Sequence, residues 1–417
     1  MRVTTLLREL LGLKQTRVVG FRFTDAELVV AVKPAKRSSY CAGCASRAPR
    51  YDRRLREWRH LDICGLRVAL EYEAWRLDCP RCGITTEMVP WASRGAWFTY
   101  PFEEVVAHLA QRTDKTTVST MMTIAWKTVG SIIERVVRRF GPDDRLAGLR
   151  RIGIDELSYR RHHEYITIVT DHDTGRVVWA APGKDAATAL RFFRDLGPER
   201  TAEIETITID MAGAYKSAIA EAAPRAQVVF DRFHVQRLAH DALDRVRREQ
   251  VRELAGTEDA RVVKKTRFAL QKNPWNLTMS EHAKLADVQR SNRPLYRAYL
   301  LKETLAATLD GRQVNVARDK LGEWMGWAAR SQLAPFQKLS RTIREHFDGI
   351  LAYVKTGLSN GRAEGMNGKV RTITKRSYGF HGPQSLIALI FLCCSDLVIP
   401  LQNRVPDKTL VVNPLNV

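Results

Sequence analysis

The sequence has no apolar run approaching the ~18–20 residues that a membrane helix needs, which excludes an integral span. Its longest, Leu386 to Cys394, stops at Ser395-Asp396 and reads as a buried helix. A signal-peptide core is missing as well: Arg2, Arg8, Glu9 and Lys14 interrupt the leucines at the start and leave a short amphipathic helix. The expected compartment is therefore the cytoplasm. Acidic residues are scarce, with 46 Asp and Glu against 67 Lys and Arg, a net charge of +21. Such an excess excludes a polyanion-repelling surface and calls for a polyanionic partner, most commonly DNA or RNA phosphates. A membrane-surface protein would carry its charge on one amphipathic helix, whereas here basic residues recur from Arg47–Arg59 to Lys369–Arg376.

What is present points to several units. A chain of 417 residues exceeds the ~100–200 residues of one domain, and 45% hydrophobic with 27% charged residues is a globular composition. Four of the seven cysteines form two pairs, Cys41-Ala-Gly-Cys44 and Cys79-Pro-Arg-Cys82. Two such knuckles separated by a hairpin's length of chain supply the four thiolates of a tetrahedral zinc ion, and the Leu66–Trp75 run between them fits a zinc ribbon. A redox dithiol needs only one pair, and disulfides are disfavoured in the cytosol. Cys64, Cys393 and Cys394 read as small core residues.

Phe102 to Phe140 carries apolar residues at spacings of three and four, which predicts several short helices, one of them capped within Thr116–Ser119. The segment from Trp126 and Lys127 through Arg138 and Arg139 has the length and basicity of a recognition helix in a helix-turn-helix; a plain helical spacer is the alternative. Gly141-Pro142-Asp143-Asp144 reads as a linker.

From Arg150 the pattern becomes mixed α/β. Strands are expected at Ile152–Asp155, Tyr165–Thr170, Arg176–Ala181, Ile204–Asp210 and Gln227–Phe230, with helices Lys184–Leu196, Ala212–Ala223 and Val235–Leu254. Two strands end alike, Ile-Gly-Ile-Asp155 and Ile-Thr-Ile-Asp210. If adjacent, these carboxylates repel each other unless a cation lies between them, and oxygen ligands suit Mg²⁺ or Mn²⁺. Taken singly, each Asp is equally an ordinary turn or cap. A third acid would complete a two-metal site. Residues from Glu249 to Tyr353 look entirely helical, divided by Pro274, Pro294, Gly311 and Pro335, and their tryptophans, Trp275, Trp324 and Trp327, read as core in preference to base-stacking groups. Next comes Ser359-Asn360-Gly361-Arg362-Ala-Glu364-Gly365-Met-Asn367-Gly368-Lys369-Val-Arg371, followed by Lys375 and Arg376. On a helix capped near Ser359, Asn360, Glu364, Asn367 and Arg371 share a face, and the glycines fit close approach of a nucleic-acid backbone or another element. A glycine-rich loop with a solvated Glu is the alternative.

The zinc ribbon, the helical segment, Gly-Ile-Asp155-Glu156, Thr-Ile-Asp210-Met-x-x-x-Tyr215, Asp231-Arg-Phe-His234, the helical stretch and Ser359-Asn-Gly-x-x-Glu364-Gly-x-Asn-x-Lys together resemble the insertion-sequence transposases of the bacterial ISL-three family. The resemblance spans nearly the whole chain, and its carboxylate motifs are specific in order and context. It implies a multidomain α/β protein: a zinc-ribbon domain over 1–90, a helix-turn-helix-like DNA-binding domain over 91–145, an RNase H-like catalytic domain over 146–250 and 356–417, and an all-helical insertion over 251–355. It implies a catalytic triad of Asp155, Asp210 and Glu364 holding two Mg²⁺ (or Mn²⁺) ions, Asp155 bridging both. The implied reaction is phosphodiester hydrolysis followed by strand transfer at terminal inverted repeats, one ion serving the attacking hydroxyl and the other the leaving oxygen. Implied too are a homodimer on paired DNA ends and nucleoid association. Trp126, Lys127, Arg138, Arg139, Asn360, Arg362, Asn367, Lys369, Arg371, Lys375 and Arg376 are the expected DNA contacts. His234 either orients a phosphate or stabilises the fold, Asp231 precedes it in the same motif, and Tyr215 is a contact or packing. Glu156 is expected to face away from Asp155. A DNA-binding regulator, a structure-specific nuclease and an interaction scaffold are the competing functions.

Overall fold

The computed structural model describes residues 3–36, 39–160, 164–211, 213–358, 361–376 and 382–401. The chain packs as two compact units, residues 1–143 with 372–417, and residues 144–371. The first break falls between Asp143 and Asp144. The second falls between Arg371 and Thr372.

The first unit begins with helix α1 (Val3–Leu11) and strands β1 (Thr16–Phe23), β2 (Leu28–Pro34), β3 (Arg50–Ile63), β4 (Leu66–Cys79) and β5 (Gly83–Thr86). These form one sheet in the order β1-β2-β4-β3, with β5 on the far end of β4. The long β3–β4 hairpin alternates: Trp58, Val68, Leu70 and Ala74 turn inward and Arg53, Leu55 and Glu57 outward. Trp58 and Trp91 meet edge to face at 5.6 Å and anchor the core beneath the sheet. Cys64, expected in a core, lies exposed in the β3–β4 turn with φ 51°, because a two-residue reversal must show its side chains to solvent.

Helices α2 (Tyr100–Ala110), α3 (Lys115–Met122) and α4 (Trp126–Phe140) follow. The cap of α3 is Asp114, whose carboxylate accepts from Thr117 N at 2.9 Å; Thr116–Ser119 lie inside the helix. The chain turns from α3 to α4 through Thr123 in the left-handed conformation. Helix α4 buries Val129, Ile132, Ile133, Val136 and Val137 along one face.

The second unit holds β6 (Arg151–Arg160), β7 (Glu164–Asp171), β8 (Val177–Pro182), α5 (Ala186–Leu196), α6 (Pro198–Thr201), β9 (Thr206–Ile209), α7 (Gly213–Ala222), β10 (Gln227–Phe230) and α8 (Arg232–Glu253). The sheet order is β10-β9-β6-β7-β8, with β6, β9 and β10 parallel and β7 and β8 antiparallel. Ile152, Ile154, Ile207 and Ile209 bury their side chains in one core with Phe192, Phe193, Tyr215 and Ile219 of α5 and α7. Strand β6 does not stop at Asp155 as expected. The hairpin with β7 carries it on to Arg160, so Asp155 marks only the end of its pairing with β9.

Among the described residues, every element between Phe230 and Pro383 is a helix: after α8 come α9 (Glu258–Lys265), α10 (Arg267–Gln271), a 3₁₀ turn (Pro274–Asn276), α11 (Met279–Ser291), α12 (Arg293–Leu309), α13 (Val314–Ala329), α14 (Ala334–Glu345), α15 (Phe347–Thr356) and α16 (Gly361–Arg376). Thr278 and Glu281 form a reciprocal capping box at α11, and Asn292 caps α12. Helix α17 (Pro383–Cys394) packs on α4, burying the longest apolar run as expected; Ser385 Oγ donates to Glu134 at 2.9 Å, and Gln111 donates to the Leu392 and Leu397 carbonyls. No helix among the described residues is long and apolar enough to cross a membrane.

Candidate functional site

Three parallel strands bring three aspartates into one row. Ile154 pairs with Ile209 and Ile209 with Phe230, so the next residue on each strand, Asp155, Asp210 and Asp231, stands at the same level of the sheet. Neighbouring strands lie ~4.8 Å apart, which makes Asp155 and Asp210 adjacent carboxylates. Asp155 Oδ1 accepts from Glu156 N at 2.8 Å. Asp210 is approached by two α8 side chains: His234 Nδ1 lies 3.6 Å from Oδ1 and Arg237 Nη2 lies 3.7 Å from Oδ2. Asp231 is buried and caps α8, accepting from Phe233 N at 3.3 Å. His234, 8% exposed, is one turn further on.

Glu156 is half-buried. Burial raises its carboxyl above the usual carboxylate range, the charges of Asp155 and Asp210 raise it further, and Lys184 and His234 act the other way. Strand alternation sets its side chain on the opposite face from Asp155, yet it remains within electrostatic reach of both aspartates. Tyr215 packs: its hydroxyl meets Thr167 Oγ1 at 3.0 Å in the core, and burial raises its ionisation. Arg237 was missed in the sequence, although its i+3 spacing from His234 places both on one face of α8.

Glu364 lies in the first turn of α16, but its side chain is outside the described residues, as are those of Arg362, Asn367 and Arg376. Asn360 is outside them altogether. Lys369, Arg371 and Lys375 are exposed. Among the described residues, a Cβ on Gly365 or Gly368 would meet nothing within 4 Å.

On α4, Lys127 and Arg138 are exposed and Trp126 is half-buried. The Lys115 ammonium lies 3.4 Å from the centre of the Trp126 ring, itself buried and pushed down to about 8. Arg139, expected at the DNA, turns inward: it donates to Glu104 Oε1 at 2.9 Å, beside a second pair in which Arg135 Nε donates to fully buried Glu103 at 2.7 Å. Two buried carboxylates on α2 need two guanidinium partners, and α4 supplies them.

The four cysteines of the two knuckles converge, all their sulfurs lying within 4.8 Å of one another. Tetrahedral Zn–S bonds of ~2.3 Å require sulfurs ~3.8 Å apart, so the donor set fits zinc. Gly43 N donates to Cys41 Sγ at 3.3 Å, and a Cβ on Gly43 would come 3.0 Å from Cys82 Sγ, so the first knuckle needs a glycine there. A hydrogen bond from the Ser46 backbone draws the Cys44 thiol down to about 6, while Cys44 pushes Cys82 up to about 12. The group cannot ionise fully without a cation.

Residues 152–390 match the ISL3 transposase family, residues 87–137 the helix-turn-helix domain of transposase family ISL3, and residues 37–82 the zinc finger of the transposases of IS204, IS1001, IS1096 and IS1165. This chain belongs to the ISL3 family of transposases. The transposase is 41% identical over 432 residues to the transposase for insertion sequence element IS1557 of Mycobacterium tuberculosis, covering 94% of this chain and 96% of that one. It is 28% identical over 357 residues to the transposase for IS1001 of Bordetella parapertussis, covering 85% and 88%. The α3–α4 pair of the transposase is thus a helix-turn-helix and not a helical spacer, and its four-cysteine cluster is a structural zinc site.

Proposed function

We propose that Asp155, Asp210 and Glu364 form the catalytic triad with which the transposase cuts and rejoins DNA at the terminal inverted repeats of its element. The observation that carries this reading is the shared level of Asp155 and Asp210 on adjacent parallel strands. The strand order, an antiparallel meander followed by two parallel strands joined through helices, supports an RNase H-like domain interrupted by a helical insertion.

Paired carboxylates offer oxygen donors suited to Mg²⁺ or Mn²⁺, two ions per site. Held by these carboxylates, such ions would supply charge neutralisation at the phosphate and acidification of the attacking hydroxyl. Asp155 and Asp210 fix the oxygen donors at the sheet, and Glu364, one turn into α16, adds the third carboxylate. His234 and Arg237 hold Asp210 from the α8 side and present donors to a phosphate oxygen. Lys127, Trp126 and Arg138 of α4, with Asn360, Arg362, Asn367, Lys369, Arg371, Lys375 and Arg376, contact the DNA, while Arg139 holds α4 to α2. Joining two ends requires both in one complex, so the active species is a homodimer on paired ends, associated with the nucleoid. A single protein copy on paired ends by mass photometry would refute that state.

The test incubates the protein with labelled DNA from both flanks of its own gene, with Mg²⁺ or EDTA, and compares Asp155→Asn, Asp210→Asn and Glu364→Gln. Metal-dependent cuts at the repeat ends, lost in all three variants while DNA binding survives, are expected. Cutting that persists in any of the three removes that residue from the triad.

A further inference from the structure

The helical part of the second unit does not hide its aromatic residues uniformly. Trp324 is 1% exposed, but Trp275 is 75%, Phe268 70% and Phe233 53% exposed. Burying such rings contributes strongly to stability, and of the three Phe233 lines a groove, where an exposed ring calls for a partner. The expectation that Trp275 is core fails here.

Between α8 and the α10–3₁₀ segment lies a groove of about 400 Å³. Phe233 and Arg237 line it from α8, and Gln271, Asn273 and Asn276, each carrying a side-chain amide, line it from the other side. Arg237 also reaches to within 3.7 Å of Asp210, so one guanidinium is shared by the groove and the candidate catalytic carboxylate. Its chemistry is that of a nucleotide site. An aromatic face stacks a base of any kind, amides pair with base edges, and a guanidinium grips phosphate. Bases within a duplex are stacked and paired, so a pocket that combines a ring face with edge-reading amides admits only one that has left the helix.

We propose that this groove takes one unpaired nucleotide of the DNA end next to the phosphate that is cut. Phe233 stacks the base, Gln271, Asn273 and Asn276 read its edge, and Arg237 ties its phosphate to the level of Asp210. The proposal rests on the reading of Asp210 as catalytic.

The experiment uses the full-length zinc-loaded protein without added divalent metal, so nothing is cut. Anisotropy measures affinity for a gene-flanking duplex carrying a single unpaired 2-aminopurine and for the same duplex fully paired. The bulged DNA is expected to bind about ten-fold more tightly, within the range of one stacked base, with 2-aminopurine emission quenched. Phe233→Ala should bring the ratio to about one, and Phe233→Trp should keep it; melting temperatures of both variants check folding at this exposed position. Equal affinity of the wild type for the two duplexes, or an undiminished ratio in Phe233→Ala, overturns the groove. The outcome is separable from the triad: Asp155→Asn should retain the bulge preference, and cutting that survives in triad variants would refute the triad without altering the ratio.

Discussion

Asp155 and Asp210 stand side by side on parallel strands, each one residue beyond the paired Ile154 and Ile209. Without a cation their charges oppose each other, so Asp155→Asn or Asp210→Asn should leave the metal-free melting temperature unchanged or slightly raised. Added Mg²⁺ should raise the melting temperature of the wild type and not of the variants, because only a state that binds the ion gains from it. DNA cutting should fall by at least ~100-fold, the loss of a few kcal/mol of charge stabilisation. Thermal melts with and without Mg²⁺, beside a cleavage assay, check both.

Arg138 and Arg139 are neighbours with opposite fates. Arg138→Ala should weaken DNA binding and flatten its salt dependence with little change in melting temperature. Arg139→Ala leaves Glu104 short of its partner in a half-buried pair, and Arg135→Ala leaves Glu103 buried and charged, so each should destabilise the first unit, the latter by ~3–5 kcal/mol. Denaturant melts and salt-titrated binding separate the two effects.

Zinc content should follow the knuckles. Cys41→Ser or Cys79→Ser, each altering a fully buried ligand, should lose the metal and loosen the β3–β4 hairpin, since binding energy at such a site is folding energy. Elemental analysis with hydrogen exchange on Arg50–Cys79 gives the answer, while the second unit should keep its protection.

His60 is 2% exposed, with Nδ1 2.7 Å from Thr99 Oγ1. Burial pushes its pKa down to about 4 from an ordinary 6.5. The unfolded chain therefore binds the extra proton first, so the contribution of this residue is full above about 6.5 and is lost as pH falls towards 4. The effect is on the order of a few kcal/mol. The melting temperature of the wild type should drop across that window more steeply than that of His60→Gln, both measured with zinc bound.

The candidate site was legible in the sequence wherever chemistry and chain order coincide. The repeated Ile-x-Ile-Asp at Asp155 and Asp210 announces paired carboxylates, and residues 251–355 show no strand periodicity. The true length of β6 was not legible, because its extension to Arg160 depends on β7 as a partner and not on its own composition. Nor was Arg237: a lone basic residue on a highly charged helix acquires meaning only when Asp210 is found beside it. The cap of α3 was misplaced because Asp114, Thr116 and Thr117 are all competent caps, and only the backbone path selects Asp114.

By itself the sequence determined the charge, the two metal-binding knuckles and the order of the acidic motifs, since these reside in residue types and short spacings that survive in any conformation. Only the tertiary structure decided that Arg139 clamps α2 while Arg138 meets solvent, that Trp324 is core while Trp275 is exposed, and that Asp155, Asp210 and Asp231 share one level of a sheet. Those outcomes depend on contacts between segments far apart in the chain, and burial and pairing are properties of the folded neighbourhood, not of the residue.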